Sequence, residues 1–162
     1  MDTPSQSISA ETLIHDAMMQ LELRIKETGA RIHLAENLPT LRVNRIWATQ
    51  AILNLIGNAL KFTLPGTAPD IEIGPYQPDP GTDRRLGVGL VVRDRGPGVA
   101  PEHTRRIFLL FQRAVNREIE GTGAGLAIVQ QVAERHGGRA WVQPRAGGGS
   151  EFIVTFGRAD LH

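Results

Sequence analysis

Leu13, Ala17, Leu21 and Ile25 recur at helical spacing, and Gly29 follows where a left-handed cap belongs, so the pattern predicts a first helix over 8–28. Residues 31–35 alternate as a strand, 37–39 turn, and 41–43 make a short extended piece before Asn44, a residue type suited to an N-cap. A second helix is expected from there to about 62, stopping before the helix-breaking pair Pro65-Gly66. Residues 71–76 and 86–94 read as strands joined into a hairpin by the polar loop 77–85. A short helix at 102–111 and a polar stretch at 112–120 precede a helix over 124–136 that ends at Gly137-Gly138. Residues 139–143 and 151–156 alternate as a terminal hairpin. Helix pairs interleaved with hairpins predict an α+β two-layer sandwich, a mixed sheet with helices packed on one face. Residues 1–7 are expected to be a linker or a cut end, 8–157 one domain, and 158–162 a tail.

Composition narrows the function classes. A chain of 162 residues, 41% hydrophobic and 22% charged, suffices for one core and is short for two. The formal net charge of +1 offers no field to attract DNA or an anionic membrane, so neither is an expected partner. Without cysteine there is no disulfide or thiolate metal site. No run approaches the roughly 18 apolar residues of a membrane span, and a cytoplasmic, monomeric domain is expected, whether or not its parent is membrane-anchored. His15, His33, His103, His136 and His162 show no paired metal spacing. They read as structural or surface residues, His136 as a cation at a helix C-terminus.

Four segments carry candidate chemistry. On the second helix Ala48, Ile52, Leu55, Ile56 and Ala59 fall on one side, while Gln50, Asn54, Asn58 and Lys61 cluster on the other. A solvated face and a ligand-binding face both fit that stripe, but Asn disfavours helix interiors, which weights the second. An Asn oxygen is a hard neutral ligand suited to Mg²⁺, making Asn58 the candidate, and Lys61 would reach the same phosphates. Asp94, at a strand end before Gly96-Pro97-Gly98, marks either a plain turn or a carboxylate that accepts the adenine amino hydrogen and disfavours guanine. Gly96 and Gly98 would then let the backbone pass close to the base. Phe108 and Phe111 fit core packing or the anchor of a movable lid, in which Arg113 and Arg117 are either solvated or near phosphate. Gly121, Thr122, Gly123, Gly125 and Leu126 lead into the helix at 124, where free N–H groups attract an anion. The spacing fits neither the dinucleotide fingerprint nor a P-loop.

In this order the segments Asn54-Leu-Ile-Gly-Asn58-Ala-Leu-Lys61, Asp94-Arg-Gly96-Pro-Gly98, Ile107-Phe108-Leu-Leu-Phe111 and Gly121-Thr-Gly123-Ala-Gly125-Leu resemble the N, G1, F and G2 boxes of the catalytic and ATP-binding domain of sensor histidine kinases. That domain belongs to the ATPase superfamily shared with gyrase and the Hsp90 chaperone. The resemblance covers about 8–156, and the stretch from Phe111-Gln-Arg113 to Gly123 resembles phytochrome-type kinases in particular. It implies a Bergerat fold with ATP under a mobile lid, Asn58 on Mg²⁺, Lys61 near phosphate, Asp94 on adenine, and Ser150 assisting through water. It also implies as partners a histidine-bearing dimerisation domain and, indirectly, a response regulator. Leu109, Ala124 and Asn44 depart from the family's common choices, and no His-Glu-x-x-x-Pro segment is present, since His15 is followed by Asp-Ala-Met-Met.

Position 54 separates the mechanisms. ATPases of the superfamily carry a Glu there to activate water, and Asn54 has no basic carboxylate. Phosphoryl transfer to a histidine on another domain is therefore the leading expectation. An ATP-driven clamp or chaperone ATPase and a non-catalytic nucleotide-binding module are the alternatives.

Overall fold

Ser9 closes one element and opens the next. In the computed structural model, which describes residues 5–61, 68–76, 87–94, 124–145 and 149–157, it ends strand β1 (Gln6–Ser9) and caps helix α1 (Ala10–Gln20) by accepting from the Glu11 N–H. β1 pairs antiparallel with β3 (Thr40–Val43), so Gln6 and Ser7, which the sequence leaves in a polar terminal segment, sit level with Val43 and Arg42. Only Ile8 of that strand is buried, which is why no apolar alternation announces it.

The single helix expected over 8–28 is two. Leu21, at φ −104° and ψ 10°, leaves the helical basin, and α2 (Glu22–Thr28) restarts beyond it with no buried residue of its own. Burial of Leu21 holds the corner against the core while α2 turns away from it. Gly29, at φ 70°, ends α2 where the sequence predicts. Strand β2 (Arg31–Leu34) follows, and after β3 helix α3 (Arg45–Lys61) begins at Asn44, whose Oδ1 accepts from the Trp47 N–H at 2.9 Å.

Five strands form the main sheet in the order β2, β4 (Asp70–Tyr76), β5 (Gly89–Asp94), β7 (Ser150–Thr155), β6 (Ala140–Pro144). β2 and β4 are parallel and every other neighbouring pair is antiparallel, giving the expected mixed sheet with its two hairpins. Helix α4 (Ala124–Arg135) completes the described elements. It ends at Gly137, φ 79°, and at Gly138, where an added Cβ would lie 2.0 Å from the Thr155 carbonyl oxygen.

One face of the sheet meets the helices. Ile71, Ile73, Leu90, Val92, Val142, Phe152 and Val154 supply its apolar rows, and the stripe Ala48, Ile52, Leu55, Ile56 and Ala59 of α3 is buried against them. Each such Leu or Ile contributes about 1.5–3 kcal/mol, which fixes how α3 is rotated and hence where its polar stripe points. α3 lies over β5, α4 over β6 and β7, and α1 flanks α3. The opposite face carries Glu72, Arg93, Glu151 and Gln143 in one cross-strand row, tied by Arg93 to Glu151 at 2.9 Å and Gln143 to Glu151 at 2.8 Å.

Candidate functional site

α3 and α4 run in opposite directions. The Asn44 N–H, at the start of α3, donates to His136 Nε2 at the end of α4 (3.1 Å), and the Arg135 guanidinium stacks 5.6 Å from the Trp47 ring centroid. At about 1.5 Å per residue, Asn54 stands about 15 Å along α3 from that junction, level with the first turn of α4, and Asn58 about 21 Å along, just past its first residue. The C-terminal half of α3 thus accompanies the N-terminus of α4, the end at which a helix dipole favours negative charge.

The sheet delivers its own residues to the same end. His136 packs edge-on against Phe156, which follows the last residue of β7, and Thr155 is level with Gly89, the first residue of β5. Asp94, the last residue of β5, is therefore at the far end with Ser150, the first of β7, and one further step of the register that pairs Arg93 with Glu151 sets the two level. Leu90 and Val92 of the same strand face the helices.

The asparagines are not a solvated stripe. Both are only partly exposed, and the Nδ2 atoms of Asn54 and Asn58 are buried without a hydrogen-bond partner. Leaving such a donor unpaired costs about 1–3 kcal/mol, so two of them one helical turn apart need an explanation. A ligand rich in acceptor oxygens, entering between α3 and the start of α4, supplies one. Each amide also carries an oxygen, a hard neutral donor for Mg²⁺, so this pair fits a site in which the ion is shared with substrate phosphates. Among the described residues no cluster of three or more His, Asp or Glu side chains could hold a metal without such help.

Lys61 is the last residue of α3, and Gly125 and Leu126 lie in the first turn of α4. With Asn54, Asn58, Asp94 and Ser150, seven residues on four elements thus have their backbone toward one end of the sandwich. Gly96, Gly98, Phe108, Phe111, Arg113, Gly121, Thr122 and Gly123, together with the short helix and lid expected at 102–120, lie outside the described residues.

His136 corrects a sequence expectation. Its Nε2 accepts the Asn44 N–H, so the proton belongs on Nδ1, which donates to the Val132 carbonyl at 2.8 Å. In this geometry it is a neutral link between helices rather than a terminal cation. Nothing in the local sequence announces that, because its partner is 92 residues away.

A two-layer sandwich with α3 and α4 antiparallel on one face of a five-stranded mixed sheet defines the architectural class. Residues 43–160 match the family of histidine kinase-, DNA gyrase B- and HSP90-like ATPases, and the chain belongs to that family. It is 33% identical over 152 residues (94% of this chain, 16% of the relative) to the methanogenesis regulatory histidine kinase FilI of Methanothrix harundinacea. It is 40% identical over 151 residues (93% and 19%) to cyanobacterial phytochrome A of a Nostoc species. Among solved structures it resembles the mycobacterial sensor histidine kinase MprB at TM-score 0.66 and 27% identity, covering 96% of this chain and 99% of that one. Full-length ShkA in complex with AMPPNP matches at TM-score 0.67 and 30% identity, covering 99% of this chain and 33% of that one. The chain spans about a fifth or less of the length of the curated relatives FilI and phytochrome A. The fold is the Bergerat-type sandwich of that family, and the relatives FilI and MprB are named histidine kinases. No helix among the described residues is long and apolar enough to cross a membrane.

Proposed function

We propose that this domain binds Mg-ATP between α3, the start of α4 and the Asp94–Ser150 end of the sheet, and transfers the γ-phosphoryl group to a histidine on a separate dimerisation domain. The observation that carries the reading is the pair of buried, unpartnered amide nitrogens of Asn54 and Asn58 beside the N-terminus of α4. Acceptor-rich phosphates satisfy both, and the ShkA complex with a nucleotide analogue supports the choice of ligand.

In this reading the Asp94 carboxylate accepts from the adenine amino group, Gly96 and Gly98 admit the base, and Ser150 assists from the neighbouring strand. The Asn58 amide oxygen holds Mg²⁺, which would neutralise charge on the phosphates, and Lys61 and Arg113 add positive charge near them. Gly121 to Gly125 cradle the phosphate end, and Phe108 and Phe111 anchor the covering lid. Asn54 donates and has no carboxylate to take a proton from water, so hydrolysis is slow. A neutral imidazole already carries a lone pair, so transfer to it requires chiefly positioning and charge stabilisation. A response regulator then receives the group from the histidine, as befits a family whose member ThkA has been solved in complex with the response regulator TrrA.

The test is to supply γ-labelled ATP, Mg²⁺ and a cognate phosphoacceptor domain. Acid-labile, base-stable label on the acceptor supports the proposal. Rapid multiple turnover by the domain alone supports the clamp-type ATPase instead, and tight ATP binding without label transfer supports a non-catalytic module.

A further inference from the structure

We infer that His136 is a positioning residue for the nucleotide site, acting through the α3–α4 pair from the end opposite the ligand. The inference rests on the nucleotide reading above. One imidazole joins the two helices: Nδ1–H donates to the Val132 carbonyl of α4 at 2.8 Å and Nε2 accepts the Asn44 N–H at 3.1 Å. Asn44 in turn caps α3 through the Trp47 N–H, and Trp47 receives the Arg135 guanidinium of α4. Phe156 holds the ring edge-on at 5.6 Å, referring the junction to β7.

These contacts make the junction the fixed end of a lever. α4, with 12 residues, extends about 18 Å from it, so a tilt of about 3° carries its N-terminus about 1 Å. A displacement of that size spoils alignment with Asn54 and Asn58 on α3. Among the described residues, the hydrogen bond from the Asn44 N–H to His136 joins the two helices at this end, and the proposed ligand would add its contacts at the other. The Asn44 N–H stands at the start of α3, beyond the reach of an intrahelical carbonyl, and its bond to the imidazole is the contact that His136→Phe would remove.

The experiment compares two substitutions. His136→Gln keeps an acceptor at the reach of Nε2, whereas His136→Phe keeps a ring against Phe156 and offers no acceptor. Mg-ATP affinity is measured by calorimetry at a temperature where circular dichroism shows each variant folded. The Phe variant is expected to bind on the order of tenfold more weakly, with the Gln variant within about threefold of the parent. Equal affinity for parent and folded Phe variant overturns the inference, as does a Gln variant as weak as Phe. Should the Phe variant fail to fold, ¹⁵N spectra of the parent decide: an unprotonated Nε2 and protonated Nδ1 that persist on ATP binding support the junction, and the opposite tautomer overturns it. A parent that binds no ATP overturns the nucleotide reading instead, so the two failures are distinguishable.

Discussion

Replacing Asn58 with Leu should stabilise the ligand-free domain and abolish its response to Mg-ATP. The Asn58 Nδ2 is buried with no partner, a state that costs about 1–3 kcal/mol, and an apolar side chain of similar volume removes that cost. Leu is also the better former of helix interiors, adding about 0.4 kcal/mol. The sum, about 1.4–3.4 kcal/mol, corresponds to a rise in Tm of roughly 3–14 °C for a domain of this size. In the opposite direction, Mg-ATP at a hundred times its Kd should stabilise the parent by about 2.7 kcal/mol, and the variant by almost nothing. Thermal unfolding followed by circular dichroism, with and without Mg-ATP, measures both. A variant that melts lower than the parent without ligand refutes the claim that the amide is unsatisfied. An unchanged ATP-induced shift removes Asn58 from the site.

Other outcomes follow from the same geometry. Asp94→Asn should weaken ATP binding at least tenfold by equilibrium dialysis, because the amide can present a donor to the adenine amino group; unchanged affinity refutes that role. Phe152→Ala, at a fully buried sheet position, should lower unfolding free energy in urea by about 3–5 kcal/mol. For Glu151, burial alone raises its pKa, but hydrogen bonds from Gln143 and Arg93 and the charges of Arg93 and Arg145 outweigh it and leave the group below the usual carboxylate value. Its unfolded form therefore takes up a proton first as pH falls, so its stabilisation is present above the ordinary carboxylate range and disappears as pH drops through the lowered folded value. Acid titration of stability should accordingly lose part of its slope in Glu151→Gln, and an identical acid limb contradicts the assignment.

How much of this was legible in the sequence depends on where the information lies. The interior of α3 was, because Ala48, Ile52, Leu55, Ile56 and Ala59 repeat at helical spacing and all are buried. Gly29 and Gly137 likewise announced helix ends, since both adopt positive φ. β1 was not, because a strand with one buried residue is defined by its partner β3 rather than by its own pattern. Nor was the break at Leu21, which keeps the helical spacing of apolar residues across it. At the site, residue types and order pointed to asparagines and a strand-end aspartate. That Asn58 lies beside the start of α4, and Asp94 level with Ser150, follows only from strand order and the antiparallel run of α3 and α4. The role of His136 was invisible because its acceptor function depends on a backbone donor from a distant helix start.

The central claim is that one end of the sandwich, bounded by α3 and the start of α4, holds the nucleotide. Titrating Mg-ATP into the domain while following ¹⁵N-labelled side-chain signals tests it directly. Saturable shifts of the Asn54 and Asn58 amides, with the Trp141 indole on the opposite sheet face left unmoved, are the predicted result. Binding that shifts Trp141 and leaves both asparagine amides in place would contradict it.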